Sequence, residues 1–106
     1  MIATAEHLWK HDRAIFERLK DDVARPPFVL GLRFEEAWDS LDEPAAWIWV
    51  KIDESAKLTD TQINNLNYFI DLFRDRLLFS GFMTRPIARI ESEVVDLNGR
   101  ERVDSH

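Results

Sequence analysis

Residues 46–53 read Ala46-Trp47-Ile48-Trp49-Val50-Lys51-Ile52-Asp53. Ala46, Ile48, Val50 and Ile52 alternate with Trp47, Trp49, Lys51 and Asp53, so a strand of period two acquires one uniformly aliphatic face. The other face carries two indoles and two charges. What covers the aliphatic side decides the fold, and what the tryptophans meet bears on function.

Working outward, Phe28, Leu30, Leu32 and Phe34 alternate with Val29, Gly31, Arg33 and Glu35, which predicts a second strand of the same kind. Between the two lies Glu36 to Pro44, a polar connection of hairpin type, longer than the commonest hairpin loops. Downstream, Thr59-Asp60-Thr61-Gln62 fits a capping box, in which Thr59 and Gln62 each satisfy a backbone donor. Ile63, Leu66, Ile70, Phe73 and Leu77 then form a helical stripe. Ser80-Gly81-Phe82 closes it in the manner of a left-handed glycine cap, with Phe82 packing back on the last turn. After Pro86, Ala88, Ile90, Ser92 and Val94 alternate with Ile87, Arg89, Glu91 and Glu93, a third strand. Near the start, Ala5, Leu8, Ile15, Leu19 and Val23, with Phe16 beside them, predict an amphipathic helix over residues 4–24. Thr4 is its expected N-cap, and Arg25-Pro26-Pro27 its expected stop.

The order α-β-β-α-β predicts an α+β two-layer sandwich, a three-stranded sheet with both helices on one face. The simplest sheet order is 2-1-3 with all neighbours antiparallel; 1-2-3 is also compatible with three strands. With 106 residues the chain reads as one domain, residues 1–96, followed by a charged tail, 97–106. Tyr68, Leu72 and Phe79 lie off the second helix's stripe. With Phe69 and Leu78 they widen its apolar zone beyond what a small sheet covers. The first helix, through Trp9 and Phe16, or a second subunit would take the surplus, and an unpaired strand edge adds to the expectation of a homodimer.

Composition narrows the functional classes. Hydrophobic residues at 45% and aromatics at 11% exclude a disordered chain, and three glycines exclude Gly-rich architectures. The absence of cysteine removes disulfides, thiolate metal sites and cysteine nucleophiles together. A net charge of −6 argues against a nucleic-acid partner held by phosphate neutralisation, and the six arginines of the last third are cancelled by neighbouring acids. Neither a secretory signal nor a membrane-length apolar run is evident, so a cytoplasmic location without membrane contact is expected.

Candidate chemistry is sparse. The glycines are too scattered for a phosphate loop, and no serine sits in a nucleophile elbow. His7 and His11 share a helix face at metal-ligand spacing, but lack the glutamate of zincin chemistry; a solvated face flanked by Lys10 and Asp12 is the plainer reading. No cofactor is expected. Glu35, Glu36, Asp39, Asp42 and Glu43 crowd the hairpin region, and residues 31–60 carry three basic against eight acidic side chains. Such a concentration suits docking of a basic protein. Trp47 and Trp49, facing away from the aliphatic side, suit an interface, because tryptophan brings much area at little rotamer entropy. Two other arrangements fit the same residues: Arg33 or Arg89 stacked on the indoles within the chain, or an inverted sheet with the indoles in the core. Trp47, Trp49, Glu35, Glu36, Asp39, Asp42 and Glu43 therefore point to a small acidic, non-catalytic interaction protein of antitoxin, immunity or adaptor type. The alternative is a small ligand-binding domain or enzyme that uses the hairpin carboxylates.

Overall fold

In the computed structural model, residues 4–93 are described. The order is α1 (Ala5–Leu19), β1 (Val29–Trp38), β2 (Pro44–Asp53), α2 (Asp60–Phe79) and β3 (Arg85–Glu93). This is the expected α-β-β-α-β sandwich. Val94, the boundary at 96 and the charged tail lie outside the described residues.

The sheet order is β1-β2-β3, with β1–β2 antiparallel and β2–β3 parallel, which corrects the expected order 2-1-3 and its all-antiparallel pairing. A helix between β2 and β3 returns β3 parallel to β2 in either order. Only the neighbour of β3 differs, and alternation within β3 does not encode that neighbour. Strand chemistry does. β2 is apolar on one face and aromatic on the other, with its only proline, Pro44, at its first position. β1 has a register irregularity at Val29/Gly31, and β3 carries Pro86 among arginines and glutamates. Bulges, prolines and charges are tolerated at sheet edges and disfavoured in the centre.

Ile48, Val50 and Ile52 are buried under both helices with Phe16, Leu19, Leu66, Phe69, Phe73 and Leu77. Phe16 is the hinge of this core. Its ring lies 5.7 Å from Phe34 of β1 and 6.0 Å from Phe73 of α2, edge-on to the latter. Phe69 belongs to the core, whereas Ile63, placed on the stripe by its spacing, is exposed. Trp9 turns to the hairpin instead of α2: its Nε1–H donates to the Ala45 carbonyl at 2.9 Å, and its ring meets Trp38 edge-on at 5.3 Å. Tyr68, Leu72, Leu78 and Phe79 stay exposed.

The helix ends follow local rules. Thr4 Oγ1 accepts from the His7 N–H, and the Thr59–Gln62 capping box is complete. At the end of α2 the Gly81 N–H reaches the Leu78 carbonyl (3.2 Å) and the Phe82 N–H reaches Leu77 (3.1 Å), a full Schellman closure with Gly81 at φ 98°. Three boundaries differ from expectation. α1 stops at Leu19, not residue 24, where Asp21 and Asp22 would set two carboxylates against the negative end of the helix dipole. The irregularity at Val29/Gly31 buries Val29 and exposes Leu30, breaking the alternation read from Phe28. Glu36, Ala37, Trp38 and Pro44 belong to strands, so the hairpin loop is only Asp39–Glu43.

Asp12 corrects the reading of α1 as solvated around its histidines. It is 0% exposed, and its carboxylate accepts from the backbone N–H groups of Met83 (2.8 Å) and Thr84 (2.7 Å) and from the Thr84 hydroxyl. Asp12→Ala leaves three donors unpaired, two of them buried, and we expect a loss of about 3 kcal/mol or more in urea unfolding. A loss below about 1 kcal/mol would show that the donors find other partners. Gly81→Ala meets no atom within 4 Å, so its expected cost of about 1 kcal/mol is conformational alone.

Candidate functional site

The β1–β2 hairpin carries all seven residues singled out from the sequence, and the sheet divides them. Register pairs Glu35 with Trp47 and Arg33 with Trp49, and β3 adds Ile87 beside Trp47 and Arg89 beside Trp49. These side chains occupy the sheet face opposite the helices, so the tryptophans point outward as the alternation required. They are half-buried, because the arginines lie over them. Arg89 stands 4.3 Å above the Trp47 ring and 5.7 Å from Trp49, and Arg33 stands 5.1 Å from Trp49. The indoles themselves meet edge-on at 5.9 Å.

Carboxylates lock this layer. The Trp49 Nε1–H donates to Glu35 Oε1 at 2.6 Å, and Arg33 Nη1 lies 3.6 Å from the same oxygen. Arg33 then reaches across the central strand, donating to Glu91 Oε2 at 3.3 Å. One guanidinium thus joins β1 to β3 over the top of Trp49. Intramolecular stacking on the indoles is therefore the arrangement the chain adopts. Arg89 makes no ion pair among the described residues.

Glu36 points to the helix side, where Arg13 of α1 approaches it at 3.5 Å while lying 4.7 Å over the Phe34 ring. Asp39 organises the loop: its Oδ1 accepts from Leu41 N–H (2.8 Å) and Glu43 N–H (3.0 Å), and its own N–H donates to the Glu43 carbonyl. Asp42 sits at φ 62°, in the left-handed region that aspartate tolerates better than most residues. With Leu41 73% exposed, the tip presents an apolar side chain among Asp39, Asp42 and Glu43.

Beneath the tip runs a groove of about 490 Å³, with Asp39 and Glu43 on its rim and Leu8, Leu41, Phe82 and Met83 along its walls. Arg85 borders it from β3. Sequence reading missed Leu41, Phe82 and Met83 as parts of a site. Leu41, a large apolar residue inside an acidic loop, was the available signal; the other two arrive through the α2–β3 connection that Asp12 holds.

The histidine pair does not converge. His7 is exposed, and His11 turns its Nε2 to the Gly81 carbonyl at 3.1 Å. Among the described residues no group of three or more histidine, aspartate or glutamate side chains is placed to hold a metal ion. At the far end of β2, the Ser55 hydroxyl (2.6 Å) and N–H (2.9 Å) both donate to Asp53 Oδ1, which holds the Asp53 carboxyl below its ordinary range. No described helix is long and apolar enough to cross a membrane.

Two outcomes check this geometry. A double-mutant cycle on Arg33 and Trp49 should give a coupling of about 0.5–1 kcal/mol, as for an exposed cation–π pair, measured by chemical unfolding. Ser55→Ala should raise the Asp53 carboxyl toward the usual aspartate range in an NMR titration. The native contribution of this contact is present above the unfolded-state aspartate pKa and fades as pH falls through the lower folded one. An unmoved Asp53 would mean the serine does not set its acidity. No family model, curated protein or solved structure matches this chain.

Proposed function

We propose that this chain is a small non-catalytic interaction protein that docks a basic protein partner through the tip of its β1–β2 hairpin. The observation that supports it is Leu41, exposed among the carboxylates of Asp39, Asp42 and Glu43 above a groove with apolar walls. A large apolar side chain at the centre of a charged rim is the composition of a contact point. The apolar centre supplies affinity, and the carboxylates speed encounter and select charge.

Trp47, Trp49 and Glu35 lie apart from the tip groove, on the open face of the sheet, where Arg33 and Arg89 cover the indoles with positive charge that a basic partner does not contact. Their arginine cover leaves planar guanidinium surface, not bare indole, as the outer layer. Glu36, paired with Arg13 on the helix side, stands apart from this surface. In this reading the protein acts by occupancy, as an antitoxin, immunity or adaptor module does, and contributes no bond-making chemistry.

Affinity copurification from the native host, with partners identified by mass spectrometry, tests the proposal. The expected result is a partner of net basic charge whose capture weakens with rising salt. Capture should also fall at least about tenfold with Leu41→Asp, roughly the 1.4 kcal/mol expected of a minor anchor. Asp42→Asn with Glu43→Gln should slow association while leaving the turn intact, since asparagine also tolerates the left-handed region. An acidic partner, or capture indifferent to Leu41 and to salt, would overturn the reading.

A further inference from the structure

The edge of β3 points to a second copy of this chain. β3 pairs with β2 on one side only, and its other side has no strand neighbour among the described residues. Four features converge along it. Ile90, opposite Val50 on the helix-covered face, is 45% exposed, with no strand beyond it at the edge among the described residues. Leu78 of α2, 50% exposed, stands over the same edge beside Arg74 and Pro86, lining a groove of about 470 Å³. Charge is segregated along the strand, with Arg85 and Arg89 preceding Glu91 and Glu93. Finally, Pro86 supplies no N–H, so a ladder added to this edge is confined to the residues after it, 87–93.

We propose that β3 pairs antiparallel with β3 of a second copy about a two-fold axis at Ile90, forming one continuous six-stranded sheet. The midpoint of 87–93 is Ile90, which sets it opposite its own symmetry mate on the helix-covered face, where each covers the other's exposed side. In this register Arg89 faces Glu91 of the partner subunit twice over on the open face, because a two-fold axis places each segregated half of the strand against the oppositely charged half. Arg89, held against Trp47 and Trp49 and lacking an ion pair among the described residues, gains one. Ala88 and Ser92, small residues, meet across the ladder and allow the strands to approach. Leu78 from each copy closes the helix layer above, adding apolar area that a strand edge alone does not supply.

The inference does not rest on the hairpin-tip docking reading: Leu78 and Arg85 line both grooves, but the pairing residues 87–93 of β3 lie outside the tip groove. Light scattering and sedimentation velocity on the full chain test it over a wide concentration range. The wild type should run at twice the chain mass. Ile90→Lys, a change at a half-exposed position, should run at the single mass with unchanged circular dichroism and cooperative melting. Arg89→Glu and Glu91→Arg should each be monomeric alone, and their equimolar mixture should recover the dimer mass, because mixing restores both opposite-charge contacts. The mixture keeps the test decisive should Ile90→Lys fold poorly. A wild type monomeric throughout, a folded Ile90→Lys that remains dimeric, or a mixture that stays monomeric would overturn the proposal.

Discussion

A single buried carboxylate holds the two halves of this molecule in register. Asp12 lies in the middle of α1, wholly enclosed, and satisfies three donors at Met83 and Thr84, some seventy residues along the chain. Neutral partners would not substitute easily. Two of the donors are backbone N–H groups where the chain leaves α2 and enters β3, and a buried N–H without an acceptor is costly wherever it sits. The contact therefore fixes the point at which the chain leaves α2 and enters β3. Phe82, two residues before Thr84, is drawn into the core against Phe34 at 6.2 Å, so the same clamp completes the packing begun by the Schellman closure at Gly81. His11, one position earlier, meets the Gly81 carbonyl at the same junction of α1 with the end of α2.

How much of this could be read from residue order depends on the range of the force involved. The capping box at Thr59, the glycine closure at Gly81 and the outward direction of Trp47 and Trp49 are decided within a few residues, by hydrogen bonds of the helix ends or by the pleat of one strand. All three are visible in the sequence. The sheet order is not visible in periodicity, because β3 runs in the same direction beside β2 as it would beside β1 and its period-two pattern serves either neighbour. Its trace lies in strand chemistry, the irregularity of β1 and the proline and charges of β3 that suit edges. The early stop of α1 and the short hairpin loop escape for a related reason. Val23 is apolar and buried, and so continues a helical rhythm after the helix has ended, while Glu36 is a charged residue within a strand, stabilised there by Arg13 from another element. Asp12 did leave a trace: it interrupts the run Trp9, Ile15, Phe16 and Leu19 on the buried face of α1. A carboxylate on a helix's apolar stripe signals distant donors, although the sequence does not say which.

The acidic hairpin illustrates the difference between charge in a sequence and charge on a surface. Five carboxylates within nine positions look like one feature. The pleat separates Glu35 from Glu36, sending one to the indoles and the other to Arg13. The loop engages Asp39 in its own hydrogen bonds, which leaves Asp42 and Glu43, exposed and directly after Leu41 in the chain, as the outward charge of the tip. Local neutralisation thus concentrates the usable charge at the tip, where the apolar groove also opens.

The open face of the sheet obeys a related constraint. A two-layer fold with both helices on one side leaves a central strand uncovered, and Trp47 and Trp49 would there expose large apolar surface at a site prone to nonspecific association. The chain meets this by laying Arg33 and Arg89 over the rings and by anchoring Arg33 to Glu35 and Glu91 on opposite edges. The cover has an asymmetry. Arg33 is paired on both sides and spans the sheet, whereas Arg89 rests on the indoles with its charge uncompensated among the described residues. Two tryptophans thereby hold a guanidinium beside the β3 edge in a fixed orientation, at little entropic cost to any carboxylate that approaches it. The aromatic pair carries a cation on its outer side, and the charged group this face presents next to the β3 edge is Arg89.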